Sequence, residues 1–168
     1  MSFIASMLIL NMEELDSFIC LCNLLNRSCH MAFYQLESNK IDAYKEMFYQ
    51  FGKEILPELF AHFQRISLDI GIFLLDWILT AYSKPLPLDI SSRIWDCYLL
   101  YGDFYLFKVA LGILKMMEKR LINQAFDSVA FDLTHLPSID EDVLFDSISS
   151  IPLGEKRFQI ASAKFLSK

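Results

Sequence analysis

Residues 76–112 of the chain read DWILTAYSKPLPLDISSRIWDCYLLYGDFYLFKVALG, and this stretch decides the fold. Apolar residues recur with the period of an α-helix on both sides of Pro85 and Pro87, and Gly102 interrupts the second run. The pattern predicts helices over residues 68–82, 88–101 and 104–120. Because the first two have only a narrow polar stripe, we expect them to form the inner layer of a multi-helix, all-α fold.

The composition of the 168 residues agrees with an all-α fold. The chain is 54% hydrophobic and 14% aromatic, with only five glycines and five prolines, and its mean hydropathy is +0.34. So few glycines and prolines argue against a sandwich of strands joined by tight turns. The apolar excess indicates more apolar surface than a domain of this length requires, as a part of a larger domain would have.

No transmembrane segment is predicted. Acidic residues interrupt each apolar stretch before it reaches the ~20 residues that a spanning helix needs. The uncharged stretch 1–12 lacks a basic n-region and a small-residue cleavage site, so we interpret it as a helix inside the fold. The next predicted helix carries Leu15, Phe18, Cys22 and Leu25 on one face. The net charge of −6 disfavours nucleic acid and anionic membranes as main partners.

One segment has residue types that often bind metal ions, namely Cys20, Cys22, Cys29 and His30. Side chains two positions apart on a helix point about 200° away from each other, so Cys20 and Cys22 could not share one ion. We therefore expect buried free thiols, no metal and no cofactor. Neither a nucleophile–base spacing nor a glycine-rich phosphate loop occurs, so an enzyme with its own active site is not expected.

Several short motifs follow one another in order along the chain. They are Asp76-Trp77, Ser83-Lys84, Leu86-Pro87-Leu88-Asp89, Arg93-Ile94-Trp95-Asp96, Gly102, Leu106-Phe107 and Ala110-Leu111-Gly112-Ile113-Leu114. Together they resemble the C-terminal half of the TBC domain, the all-helical GTPase-activating module for Rab GTPases. The resemblance implies a multi-helix, orthogonal array. Further upstream, Asn23-Leu24-Leu25-Asn26, Cys29 and Met31-Ala32-Phe33 resemble the subgroup of family members twelve and fourteen. One departure is Ala81, where a leucine is usual.

The resemblance implies a domain organisation. Residues 1–151 would be the C-terminal portion of a TBC domain whose N-terminal catalytic half is absent. Residues 152–168 would form a basic tail, as a short or frayed helix that lacks a partner. The resemblance also implies a Rab-type GTPase as partner and a cytoplasmic location, peripheral to endosomal or autophagic membranes.

Six residues of the motifs are expected to have structural roles: Trp77, Pro87, Arg93, Trp95, Asp96 and Gly102. The two tryptophans should lie in the core. Asp96 follows Arg93 by one helical turn, so we expect the two to form an ion pair.

The resemblance also implies how the family acts. TBC domains lend an arginine, from I-x-x-D-x-x-R, and a glutamine, from Y-x-Q-G, to a Rab with bound GTP and magnesium. The arginine neutralises charge on the transferring phosphoryl group and accelerates hydrolysis by ~10³–10⁵-fold. Residues 1–5, MSFIA, resemble those that directly follow Y-x-Q-G, so both motifs would lie upstream of Met1.

None of the five arginines in the chain ends an I-x-x-D-x-x-R pattern. No catalytic residue can therefore be assigned, and we expect a catalytically incomplete Rab-GAP domain that is not itself an enzyme. The alternative is a non-catalytic α-helical adaptor that binds a Rab or another trafficking protein through exposed apolar surface.

Overall fold

A computed structural model describes residues 2–166, which form eleven α-helices and no strand. The predicted all-α fold is confirmed. Met1 and residues 167–168 of the predicted tail lie outside the described residues. The helices are α1 Ser2–Asn11, α2 Glu14–Leu25, α3 Ser28–Tyr34, α4 Ser38–Ile55, α5 Pro57–Arg65, α6 Gly71–Leu79, α7 Leu88–Tyr101, α8 Asp103–Leu121, α9 Phe126–Thr134, α10 Glu141–Ser149 and α11 Glu155–Leu166.

The innermost helix is α8, which packs against α6, α7, α10 and α11. Eleven of its nineteen residues are buried. In α7 only five of fourteen are buried, and Leu88, Leu99 and Leu100 are exposed. The prediction that residues 68–82 and 88–101 form the inner layer is therefore wrong for α7. A helical period shows which residues share a face, but it does not show which helix lies at the centre.

Buried aromatic rings form a continuous path through the core. Neighbouring centroids lie between 4.7 Å and 6.4 Å apart in tilted pairs, a favourable packing geometry. The path runs from α8 through α4, α5 and α6 along Phe107, Phe48, Phe60, Phe63, Phe73, Trp77 and Tyr82. The Tyr82 hydroxyl then donates a hydrogen bond of 2.7 Å to the Leu106 carbonyl, so the path returns to α8.

The helix predicted over residues 68–82 is shorter than its apolar pattern indicates. It spans Gly71–Leu79, and the backbone then enters the left-handed region at Ala81 (φ 43°) and Tyr82 (φ 66°). Both residues are fully buried, so their hydrophobicity continues the helical pattern although the helix has ended. The helix α7, by contrast, begins and ends where the proline and glycine positions predict.

The tail also differs from its prediction. Residues Glu155–Leu166 form α11, which packs against α4 and α8. Its Phe158 is 6% exposed and lies with its ring centroid 5.1 Å from that of Phe107. The expectation that this helix lacks a partner is therefore wrong, whereas the domain boundary at residue 151 remains a prediction.

The backbones of α8 and α10 come into close contact at Gly112. A Cβ atom at this position would lie 2.5 Å from Ile148 Cγ1 and 3.0 Å from Ile148 Cα. The Ser147 hydroxyl donates a hydrogen bond of 2.8 Å to the Gly112 carbonyl. The close approach therefore requires glycine in the middle of α8, where it would otherwise weaken the helix.

We expect Gly112→Ala to lower the free energy of unfolding by about 1–2 kcal/mol. The added methyl group overpacks the contact with the Ile148 backbone, which should cost about 2–3 kcal/mol, and the ~1 kcal/mol that alanine gains over glycine in helix propensity offsets part of this cost. Gly154→Ala is the matched control, since no atom lies within 4 Å of its added Cβ. Urea denaturation measures both variants, and an unchanged Gly112→Ala protein would contradict the close contact.

Candidate functional site

The segment from Thr80 to Pro87, here called the 80–87 corner, joins α6 to α7. The N–H groups of Ala81 and Tyr82 donate to the carbonyls of Ile78 (3.1 Å) and Trp77 (3.0 Å). This pairing ends a helix in the pattern that usually uses glycine. A left-handed residue with a side chain costs roughly 1–2 kcal/mol, so the surrounding contacts must hold the corner in place.

Trp95 of α7 supplies one of these contacts. Its indole Nε1 donates to the Ala81 carbonyl at 3.0 Å and lies equally close to the Ser83 hydroxyl. The side chains of Trp95 and Trp77 are 4% and 1% exposed, which confirms that both tryptophans lie in the core.

Ser91 supplies a second contact from the same helix. Its buried hydroxyl lies 3.2 Å from the Tyr82 carbonyl and 2.8 Å from the Pro87 carbonyl. Pro87 itself is exposed and precedes the first residue of α7. The structure therefore brings Trp77, Pro87 and Trp95, three of the six predicted motif residues, together at one corner.

A surface cleft of about 670 Å³ lies beside the corner, between α6 and the end of α9. Lys84 forms an ion pair of 2.9 Å with Asp76, and both line the cleft. His135 lines the opposite side and stacks on Phe131, with centroids 4.6 Å apart. The cleft is thus lined by one ion pair together with aromatic and aliphatic side chains.

The remaining three motif residues lie apart from this corner. Arg93 forms an ion pair with Glu141 of α10, and its guanidinium carbon lies 4.1 Å from the Phe145 ring centroid. The predicted pair with Asp96 is wrong: within residues 2–166 Asp96 forms no ion pair. The tertiary contact supplies Arg93 with both a carboxylate and an aromatic face. Gly102 ends α7 with φ 87°, a left-handed value that suits glycine.

A buried polar network at the start of α3 was not indicated by the sequence. His30 is fully buried, and its Nδ1 lies 3.0 Å from the Tyr98 hydroxyl. Arg27 lies over the Tyr98 ring, 5.2 Å from its centroid, and 3.7 Å from the Asp103 carboxylate. These partners are 68 and 76 residues apart in sequence, so no local spacing could have revealed them.

Burial controls the protonation of this network. It is the largest cause that lowers the pKa of His30 to about 4, and the Arg27 charge lowers it further. Burial also raises the pKa of Asp103, against the opposing effect of Arg27. The imidazole is therefore neutral, and its Nδ1 shares a hydrogen bond with the Tyr98 hydroxyl.

A second surface feature is the α1–α2 face, a set of large apolar side chains with between 43% and 70% of their surface exposed. Its members are Phe3, Ile9, Leu10, Leu15, Phe18 and Ile19. A groove of about 640 Å³ runs between the two helices, and Glu13 and Glu14 line it together with apolar residues. The stripe predicted on α2 thus exists, but Leu15 and Phe18 face solvent and not the core.

The cysteines do not converge. Cys29 is buried, Cys20, Cys22 and Cys97 are half-buried, and all four are free. Over the described range 2–166, no group of three or more His, Cys, Asp and Glu residues is arranged to hold a metal ion. Within the same range, no helix combines the length and the apolar character that crossing a membrane requires.

The multi-helix array and the proline-marked corner with its two tryptophans agree with the all-α Rab GTPase-activating class that the motif resemblance implies. The profile of the family described as RabGAP-TBC, the Rab-GTPase-TBC domain, matches residues 1–122. The chain belongs to this Rab-GTPase-TBC domain family.

Curated relatives extend the similarity to most of the chain. TBC1 domain family member 14 of Homo sapiens is 46% identical over 154 residues, which are 91% of this chain and 22% of the relative. TBC1 domain family member 12 of Xenopus tropicalis is 45% identical over 154 residues, which are again 91% of this chain and 22% of the relative. Drainin of Dictyostelium discoideum is 36% identical over 94% of this chain and 36% of the relative. The chain thus spans about a quarter of the length of the TBC1 relatives.

We expect Trp95→Ala to lower the free energy of unfolding by about 3–5 kcal/mol, because it removes a buried ring and the donor that holds the corner. Trp95→Phe keeps most of the ring and should cost about 1–3 kcal/mol, mainly for the carbonyl left without its donor. Leu100→Ala is a control on the same helix, since Leu100 is 73% exposed. Thermal melts of the three variants measure how much stability each one loses. A Trp95→Ala melting temperature within error of the native value would refute the prediction.

We expect the fold to lose stability as the pH falls from about 6.5 to about 4. The upper value is the ordinary pKa of His30, and the lower value is its pKa in the folded chain. The unfolded chain binds the proton first in this range, so the loss reaches about 3 kcal/mol at its lower end. His30→Gln cannot titrate and should show a shallower dependence of stability on pH. Denaturant midpoints of both proteins across this range measure the effect, and parallel curves would contradict it.

Proposed function

We propose that this chain is the C-terminal part of a Rab GTPase-activating TBC domain and regulates Rab GTPases in vesicle trafficking. The observation that carries the proposal is the family match over residues 1–122 together with the similarity to the TBC1 members 14 and 12. We further propose that these 168 residues are catalytically incomplete. Neither I-x-x-D-x-x-R nor Y-x-Q-G occurs among them.

The surroundings of the arginines support catalytic incompleteness. An arginine finger must extend its guanidinium towards the phosphates of a partner's nucleotide. Four of the five arginines instead pair with carboxylates of the same chain: Arg27 with Asp103, Arg93 with Glu141, Arg120 with Asp132 and Arg157 with Glu54. Arg65 is exposed at the end of α5 and lies outside any arginine motif.

The α1–α2 face supports the proposal that the chain works as a part of a larger domain. Six large apolar side chains are exposed on these two adjacent helices, and three of them line one groove, which exceeds what a self-sufficient domain usually leaves in water. Residues 1–5 resemble those that come after the glutamine motif, and α1 contains Ser2–Asn11. In a longer protein, the half that carries both catalytic motifs would therefore adjoin this face.

The proposed partner is a Rab-type GTPase with bound nucleotide. The six motif residues would act by maintaining the frame: Trp77 and Trp95 inside it, and Pro87, Arg93, Asp96 and Gly102 at its helix ends and surface. We propose a cytoplasmic location with peripheral attachment to endosomal or autophagic membranes, on the resemblance to members twelve and fourteen.

A second candidate function is that of a non-catalytic adaptor that binds a Rab or another trafficking protein. The same α1–α2 face favours it, because an exposed apolar groove can receive a partner as readily as the rest of a domain. The two candidates differ in the role of the catalytic half. An adaptor binds its partner with or without that half, whereas the domain part gains activity once the catalytic half is joined to it.

We expect the chain alone to leave GTP hydrolysis by a panel of purified Rabs unchanged, because it supplies neither finger. The positive control is the complete TBC domain of human TBC1 domain family member 14, tested with the same panel. Phosphate release under single-turnover conditions is the measurement. Clear acceleration by the 168-residue chain would refute catalytic incompleteness.

Binding to GTP-analogue-loaded Rabs separates the two candidate functions. The adaptor function requires a stable complex that is weakened when Leu15→Asp and Phe18→Asp are introduced together. Leu100→Asp provides a matched control on another exposed leucine, at 73% exposure against 70% for Leu15. A chain that binds no Rab, but acquires activity when the upstream half of the domain is fused to it, supports the domain part and contradicts the adaptor.

A further inference from the structure

We propose that the groove between α4 and α8 is a helix-binding site and that α11 occupies it as a releasable strap. The groove is defined here by Tyr44, Phe51 and Phe107, with the Glu54 carboxylate at its edge. The inference concerns residues beyond the family match, which ends at residue 122. It does not depend on whether the chain activates a Rab.

The contacts of α11 are those of an amphipathic helix lying in a groove. Phe158, Ala161 and Phe165 recur at the spacing of one helix face and pack against the core, whereas Ile160 on the other side is 64% exposed. Phe158 contacts Phe107, with ring centroids 5.1 Å apart. The helix therefore presents an aromatic anchor to an aromatic floor, as helix-in-groove ligands do.

An arginine next to the anchor fixes the register of α11 in the groove. Arg157 pairs with Glu54, and its guanidinium carbon lies 5.3 Å from the Phe51 ring centroid. The chemistry that the groove recognises is thus an arginine followed directly by a phenylalanine on a helix.

The helix α11 has fewer buried residues than the two helices that it packs against. Phe158 is its only buried residue within Glu155–Leu166, whereas α8 has eleven. The side chains of the Arg157–Glu54 pair are 41% and 59% exposed, and exposed pairs add little stability. A helix of twelve residues is marginal by itself. Opening of α11 should therefore require less free energy than global unfolding.

The connection before α11 allows it to swing away as a unit. Ile151 and Leu153 are 2% and 1% exposed, so they anchor the preceding segment in the core. Gly154 comes next, and no atom lies within 4 Å of a Cβ added there. Release at this point must break the 3.3 Å hydrogen bond that the Arg157 guanidinium donates to the Pro152 carbonyl. Release at Gly154 would expose the groove and leave α8 and α10 in place.

Hydrogen exchange measured by mass spectrometry tests the strap. In the native chain, amides of α11 should exchange faster than those of α8. Phe158→Ala should raise exchange in α11 at least about tenfold and leave α8 unchanged. Ile160→Ala is the matched control on the exposed side of the same helix. It should leave the exchange rates of both α11 and α8 unchanged. Exchange that rises in α8 and α11 together would overturn the proposal, because α11 would then belong to the global fold.

A labelled peptide with the sequence of residues 155–166 tests the groove itself. It should bind the Phe158→Ala chain at least about tenfold more tightly than the native chain, whose groove is filled. The same peptide carrying Phe158→Ala should bind neither the native chain nor the Phe158→Ala chain. Equal binding to both chains would overturn the proposal. A native chain that dimerises as its concentration rises would also overturn it, since α11 would then occupy the groove of a second copy.

Discussion

The hydrogen bond from the Trp95 indole to the Ala81 carbonyl is the constraint on which the relative placement of α6, α7 and α8 depends. Two consecutive left-handed residues are unfavourable for any side chain larger than glycine. They persist here because Trp95 and Ser91 hold their carbonyls from α7, and the Tyr82 hydroxyl reaches the backbone of α8. The 80–87 corner is therefore held in place by α7 and α8, and the same hydrogen bonds hold these two helices in position next to it.

The corner also explains how family motif residues divide between interior and surface. The tryptophans serve the interior frame, whereas Lys84 and Pro85 come after the left-handed pair and line the neighbouring cleft. Arg93 links α7 to α10 through Glu141 and Phe145. A rigid frame of this kind can keep its geometry while the side chains of the cleft and of the α1–α2 face change.

The sequence predicted those features that local chemistry determines. Pro87 and Gly102 mark the two ends of α7, and both ends were placed correctly. Ala81 and Tyr82 have the hydrophobicity of a helix interior, so the end of α6 was missed. The spacing of Leu15 and Phe18 showed that they share a face but could not show that the face is exposed. The partner of Arg93 lies 48 residues away and replaces the near neighbour Asp96.

The contact between Gly112 and Ile148 has a practical consequence for choosing where to end a recombinant protein. The match to the family profile stops at residue 122, at the end of α8. A polypeptide cut there would lose α10 and leave one flank of the innermost helix bare in water. Such a fragment should aggregate. The segment that matches the family profile is therefore shorter than the segment that covers the innermost helix.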